Sequence, residues 1–227
     1  MKQSFAIVLF TGLLISCNSS DKIKTEVEES VTAESQAEET TEVSTINYVP
    51  ITSNEALIAT ALMAAPEKSR AEAKVIGYNM DGEFGTLREG TNEFIVLADD
   101  PNKDGFNAAC YHKDLDPFMA RGRALKAEGK GYKEIFDIRE EEMKSGALTI
   151  PTGATLHIYY GKTTTYNPET SKVDGAKLRY VVYMPWATAE STGLPEVPAA
   201  VNHPWIMNPG THRAHIMISP LPDIRTN

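Results

Sequence analysis

"AKLRYVVYMPWA", residues 176–187, is apolar on both parities: Tyr180, Val182, Met184 and Trp186 on one, Val181 and Tyr183 on the other. Successive side chains of a strand point to opposite faces, so a strand with one wet face is apolar only at every second position. This stretch therefore predicts a central strand covered on both sides. Working outward, "ATLHIYYGKT" (154–163) and "RAHIMIS" (213–219) read as its companions, and "KVIGYN" (74–79), "GTLREG" (85–90) and "NEFIVLAD" (92–99) as short strands of a meander punctuated by Asp81-Gly82 and Gly90. Thr52-Ser53-Asn54-Glu55 has the form of a capping box before "EALIATALMAA", which Pro66 stops. Asp116-Pro117 supplies an N-cap and a first-turn proline to "FMARGRALKAE", and "YKEIFDIREEEMKS" forms another helix closed by Gly146, with Tyr132, Ile135, Phe136 and Met143 on one apolar stripe. Strands, helices and strands without regular alternation predict an α+β fold: a mainly antiparallel sheet with two to three packed helices, a single domain over residues 48–227.

Residues 1–16, "MKQSFAIVLFTGLLIS", carry Lys2 ahead of an apolar run from Phe5 to Ile15, shorter than the ~20 residues of a membrane span. They read as a signal peptide. Its end, Leu14-Ile15-Ser16-Cys17, resembles the lipobox of bacterial lipoproteins, which implies that Cys17 is the acylated first residue of the mature chain, carrying palmitate or a similar fatty acid. Each buried methylene contributes ~0.8 kcal/mol, so several acyl chains on one cysteine anchor a protein without any spanning helix. After the cysteine, residues 18–46 hold eight acidic side chains and two lysines, with no aromatic, glycine or proline. Too little apolar surface is present to offset the entropy of ordering, so residues 17–47 read as a lipidated, acidic, disordered tether. The predicted location is the cell envelope of a bacterium, and Asn18 is compatible with the outer membrane.

Most of the formal charge of −9 lies in that tether; residues 47–227 hold 19 basic and 23 acidic side chains. A mildly acidic body without a basic stripe argues against nucleic acid, which needs clustered Lys and Arg to neutralise phosphates. The expected partners are membrane lipid, through the acylated cysteine, and a small ligand or another envelope protein. Once Cys17 carries lipid, Cys110 stands alone, so no disulfide framework is available to the body.

Candidate chemistry gathers in two places. "HPWIMNPGTHRAHIMISP" (203–220) turns at Asn208-Pro209-Gly210 and enters a strand near Arg213. Strand alternation would set His212 and His215 on opposite faces, which disfavours a shared metal but leaves His212 at a strand mouth beside Arg213. Trp205, His212 and Arg213, with Arg88 and Asn92 facing them, are the candidate ligand-binding residues. In "DDPNKDGF", Asp100, Asn102, Asp104 and Gly105 match the first half of a calcium loop, where alternate oxygen ligands converge and glycine permits the turn. Tyr111, at the twelfth position, cannot supply the closing carboxylate, so Ca2+ there would be weakly held or completed by Asp99 or Asp114. Cys110 and His112, two apart, would share a face on a strand but not on a helix, and no orienting partner for a thiolate–imidazole pair is identifiable. Glu140–Glu142 reads as a solvated helix face, and Arg121, Arg123 and Lys126 as dipole-favoured residues near a helix end. The tyrosines and tryptophans from Tyr159 to Trp205 read as core, with those at strand ends able to floor a pocket.

None of G-x-S-x-G, H-E-x-x-H, G-x-x-x-x-G-K-[ST], C-x-x-C or G-x-G-x-x-G occurs. The favoured function is a lipid-anchored ligand- or partner-binding module; the alternative is a metal-assisted hydrolase, with calcium as the metal and His212 or His203 as base. "GTLREGTNEFIVLADDP" together with the "HIMI" strand resembles a loose group of uncharacterised secreted bacterial proteins that share the leucine-arginine-x-glycine-threonine-asparagine hairpin. The resemblance spans much of residues 77–219 and implies no activity. It does imply a cysteine at the place of Val96 that would pair with the later one, leaving Cys110 here without its partner.

Overall fold

The computed structural model describes residues 47–219; the predicted signal peptide and all of the tether except Asn47 lie outside the described residues. In chain order the elements are β1 (Val49–Pro50), α1 (Asn54–Ala61), β2 (Lys74–Tyr78), β3 (Phe84–Arg88), β4 (Phe94–Leu97), β5 (Phe106–His112), α2 (Asp116–Ala127), α3 (Tyr132–Lys144), β6 (Thr155–Gly161), β7 (Thr165–Tyr166), β8 (Lys177–Tyr183), α4 (Ala189–Thr192), β9 (Trp205–Met207) and β10 (His215–Ile218). Short 3₁₀ turns span Leu62–Ala64, Glu67–Glu72 and Lys113–Leu115.

Eight strands form one sheet in the order β3-β2-β4-β5-β6-β8-β10-β9, while β1 and β7 pair separately. Every neighbour in the large sheet is antiparallel except β2 and β4. The fold is α+β, with a mainly antiparallel sheet in a single domain. The 176–187 stretch supplies β8, with β6 on one side and β10 on the other. Both faces of the middle of the sheet are covered. Along β5, Phe106, Ala108 and Cys110 join Leu57 and Ala61 of α1 in one core, while Ala109 and Tyr111 join Phe118 of α2, Val181, Tyr183 and Met217 in the other. Ala108 and Ala109 let both layers approach closely, and a large side chain buried there contributes ~1.5–3 kcal/mol.

Three local readings are corrected. The first strands are not a meander, because after the β2–β3 hairpin the chain crosses back and β4 lies parallel to β2 on its other side. The N-cap of α1 is Ser53, whose side chain accepts from the Ala56 amide at 3.2 Å. Asp116 does not cap α2: it lies inside the helix, and its carboxylate accepts from Tyr111 and Arg123 at 2.9 and 3.0 Å.

The crossing explains the "LREGTN" motif. Arg88 Nη2 donates to the Arg70 and Ala73 carbonyls at 2.6 Å each, and Asn92 Nδ2 donates to the Ser69 carbonyl at 2.8 Å. Between them Gly90 passes so close to the chain that a Cβ there would meet the Lys74 amide nitrogen at 2.2 Å and the Ala73 carbonyl carbon at 2.5 Å. Backbone cannot yield as a side chain end can. Gly90→Ala is therefore expected to destabilise the protein by more than ~3 kcal/mol in a denaturant titration, far beyond an ordinary surface glycine substitution.

Candidate functional site

The residues that carry chemistry collect where α3 meets the two segments linking β8 to α4 and β9 to β10. Three backbone hydrogen bonds join those segments: Met184 N to Ala214 O at 2.9 Å, Trp186 N to Thr211 O at 2.8 Å, and Gly210 N to Ala187 O at 2.7 Å. Trp186 has φ 68°, in the left-handed region that a bulky residue rarely adopts. Its ring is 40% exposed and lies 6.5 Å from the His212 ring. Bulky residues persist in such conformations only when the surroundings over-determine them, commonly beside functional sites.

His212 is fully buried. It precedes β10, so strand alternation does not govern it. Phe118 links it to Tyr183, at 6.0 Å from each ring, and Tyr183 in turn packs on His215 at 5.7 Å. The two histidines thus belong to one aromatic cluster instead of opposite faces. His212 Nδ1 meets Glu140 Oε2 at 3.2 Å, and its Nε2 is buried with no partner among the described residues. Burial lowers the pKa of His212, with Glu140 opposing the shift, and burial also lowers His215.

α3 delivers the rest. Tyr132, Phe136, Arg139, Glu140 and Met143 recur at the three- and four-residue spacing of a single helical face. Phe136 packs on His212 at 4.6 Å between ring centres. Arg139, 8% exposed, lays its guanidinium 4.1 Å from the centre of the Phe118 ring. Half-buried Arg213 donates from Nη1 to the Tyr132 hydroxyl at 3.2 Å. Burial, then repulsion from Arg213, lower Arg139 to about 10, so it remains cationic at neutral pH. Burial pushes the Tyr183 phenol up, opposed by Arg213 and Arg139.

Of the residues singled out from the sequence, His212 and Arg213 meet here. Trp205 lies on β9, against the core beneath. Arg88 and Asn92 sit at the far end of the sheet, where their side chains bind backbone carbonyls. Tyr183 and Trp186 were read among the aromatics able to floor a pocket, whereas Arg139 and Glu140 were not read as site residues. The trace those two left is two charged residues on the apolar stripe of α3. Glu140 and Glu142, read as solvated, have side chains only 22% and 25% exposed and are engaged with His212 and Lys144 and with Arg121 respectively.

In the calcium-like loop, Asp100 accepts from the Asn102 amide at 3.2 Å and pairs with Lys103, while Asp104 is exposed. Among the described residues no group of three or more His, Cys, Asp or Glu is placed to share a metal ion. The buried acid of that loop is Asp99, which accepts from the Asn107 amide at 2.8 Å and is pushed up to about 6 by burial. Cys110 is buried, and burial pushes its thiol up to about 12, so it is not a ready nucleophile. Val96 stands directly across from it in the β4–β5 register. The open groove between α2 and the end of α3, about 410 Å³, is lined by Pro117, Ala120, Ala124 and Leu148 and lies apart from every residue singled out for ligand binding.

Comparison with known proteins gives no match: no family model, no curated protein and no solved structure is similar to the chain beyond chance.

Asp99 makes the pH dependence testable. Its folded pKa lies above its ordinary 3.8, so its ionisation penalises the fold above about pH 6, and the penalty fades as pH falls towards 4. Asp99→Asn, which keeps an acceptor for the Asn107 amide, is expected to gain ~1–3 kcal/mol at pH 7.5 and to converge on the wild type near pH 4, measured by denaturant unfolding across that range.

Proposed function

We propose that this chain is a lipid-anchored cell-envelope protein, held on the outer membrane through an acylated Cys17, whose body binds a small ligand or an envelope partner at the seam of α3 with residues 184–187 and 208–214. The observation that carries the binding reading is that Arg139 and His212 are buried there with ring or guanidinium nitrogens unspent. Buried polar groups are normally satisfied, and an unsatisfied one costs ~1–3 kcal/mol, more when charged. Such groups persist where something else completes them. Exposed Trp186 and Tyr132, the latter 70% exposed, flank the seam as amphipathic contact surfaces of the kind enriched at binding sites. The "LLISC" end of the apolar leader and the acidic segment after it support the anchor, and among the described residues no helix is long and apolar enough to cross a membrane.

A hydrolase with a histidine base is the second reading; nothing among the described residues favours the metal that would assist it. The His212–Glu140 pair favours the base, since a carboxylate on Nδ1 orients a neutral imidazole whose Nε2 can take a proton. No hydroxyl or thiol nucleophile is bonded to it among the described residues.

Two measurements test the proposal. In cells fed labelled palmitate, the wild-type chain is expected to carry label and to sediment with membranes, and Cys17→Ser to lose the label and leave the membrane fraction. Equal labelling of both sinks the anchor. In a melting screen of sugars, organic acids, nucleotides and peptides, a true ligand at a hundred times its Kd stabilises by ~2.7 kcal/mol, a rise of several degrees for a domain of this size. His212→Gln should abolish that rise; hydrolysis of an added ester, lost in His212→Gln, is the result that favours the second reading instead.

A further inference from the structure

Two guanidinium groups share the seam, and among the described residues neither is held in an ion pair. Among the described residues no carboxylate lies within ion-pair distance of Arg139 or Arg213. Of the nearby acids, Glu140 pairs with Lys144 at 2.9 Å and His212 at 3.2 Å, while Glu142 pairs through Oε1 with Arg121 at 2.7 Å, supports Arg139 only from beyond ion-pair distance, and keeps Oε2 buried with no partner among the described residues. Among the described residues Arg139 makes one long hydrogen bond, Nη1 to the Phe118 carbonyl at 3.4 Å. The Nε of Arg139 and the Nε of Arg213 are both buried with no partner among the described residues. A Cβ on Gly122 of α2 would come within 2.8 Å of Arg139 Nη1, so a side chain at that place in the helix interior would displace the guanidinium from where it lies.

Burying an unpaired charge is expensive, and placing a second like charge beside it adds to the expense. Cation–π contact with Phe118 offsets part of it and leaves the N–H donors unspent. Oxyanions match those donors: a guanidinium presents paired N–H groups in a plane that fits the two oxygens of a carboxylate or the edge of a phosphate. Hydroxyls complete the surround. The Tyr132 hydroxyl accepts from Arg213 and keeps its own proton to donate, and the buried Tyr183 phenol adjoins both arginines. Half-buried Arg213 and exposed Tyr132 give an anion its approach from solvent.

We propose that Arg139 and Arg213, with the hydroxyls of Tyr132 and Tyr183, form a site for one oxyanion, the carboxylate or phosphate group of its ligand. The inference rests on the reading of the seam as a binding site and names the chemistry it takes.

The test titrates the purified full-length chain, kept in mild detergent at pH 7, with inorganic phosphate and separately with succinate, by calorimetry and by melting. Saturable binding of at least one of them is expected, weakened at least tenfold in Arg213→Gln and in Arg139→Met and unchanged in Lys133→Gln, which removes an exposed charge from the same helix. Arg139→Met should still melt cooperatively, because an apolar chain of similar volume is easier to bury than an unpaired cation; if it does not fold, Arg213→Gln at the half-exposed position decides alone. A second arm asks for the source. Sedimentation with phosphatidylglycerol vesicles but not phosphatidylcholine vesicles, lost in Arg213→Gln, while both soluble anions are inert, identifies the oxyanion as a lipid headgroup. The proposal is overturned if neither anion nor vesicle binds, or if binding is the same in both arginine variants. If a neutral sugar raises the melting temperature and His212→Gln abolishes that rise while every oxyanion is inert, the seam remains a binding site and the oxyanion falls; if no compound binds, both fall.

Discussion

Arg139 places a cation between α2, α3 and the sheet where, among the described residues, no carboxylate forms an ion pair with it and Glu142 supports it only from beyond that distance, and much of the surrounding sequence is fitted to that placement. Phe118 offers its ring face, Gly122 gives up a side chain, and α3 interrupts its apolar stripe. The burden is considerable against the ~5–15 kcal/mol by which domains are stable, since several kcal/mol per buried ion must be recovered elsewhere. A methionine or leucine at the same place would close the seam more simply. What a guanidinium offers beyond packing is directional donors, and those donors are what the seam has left over.

The sheet makes this affordable and fixes where it happens. With β5, β6 and β8 covered on both faces, the middle of the molecule has two separate cores, and the α2–α3 layer anchors its aromatic residues in the second of them. The ladder between β8 and β10 continues as backbone hydrogen bonds into the segments beyond both strands, so Trp186, His212 and Arg213 are positioned by main chain as well as by side-chain packing. Glu140 and His212 come from elements distant in sequence but fixed against the same ring cluster, so their contact is a product of packing and not of any local motif.

Where pattern and propensity agreed, the sequence was readable. The two-sided apolarity of 176–187 located a central strand, and helix boundaries near Pro66, Pro117 and Gly146 followed from backbone chemistry that tertiary structure rarely overrides. β5 was not legible. "FNAACYH" is rich in alanine, a weak strand former, because two layers must approach it closely, and that requirement exists only in the assembled fold. The parallel placement of β4 beside β2 was hidden for a related reason: it depends on one glycine packing against backbone and on Arg88 and Asn92 spending their donors on carbonyls. Both residues are polar and lie next to a turn, which is also how ligand-binding side chains look in sequence. The site was half legible. His212 and Arg213 stood out by composition and by the turn before them, whereas Arg139 and Glu140 sat within a charged run whose neighbours, Glu141 and Lys144, are solvated as expected. Only their register on the helix distinguished them.

Nitrogen-15 NMR of the arginine Nε–H groups probes the buried cation directly. If Arg139 lies sequestered between the helices with its donors unspent, its Nε–H resonance is expected to persist at pH 7 and 25 °C, exchanging with water far more slowly than that of an exposed arginine, and to shift when phosphate or another bound oxyanion is added. A resonance lost to rapid exchange, or one indifferent to every anion, would show a guanidinium standing in water and would contradict the account.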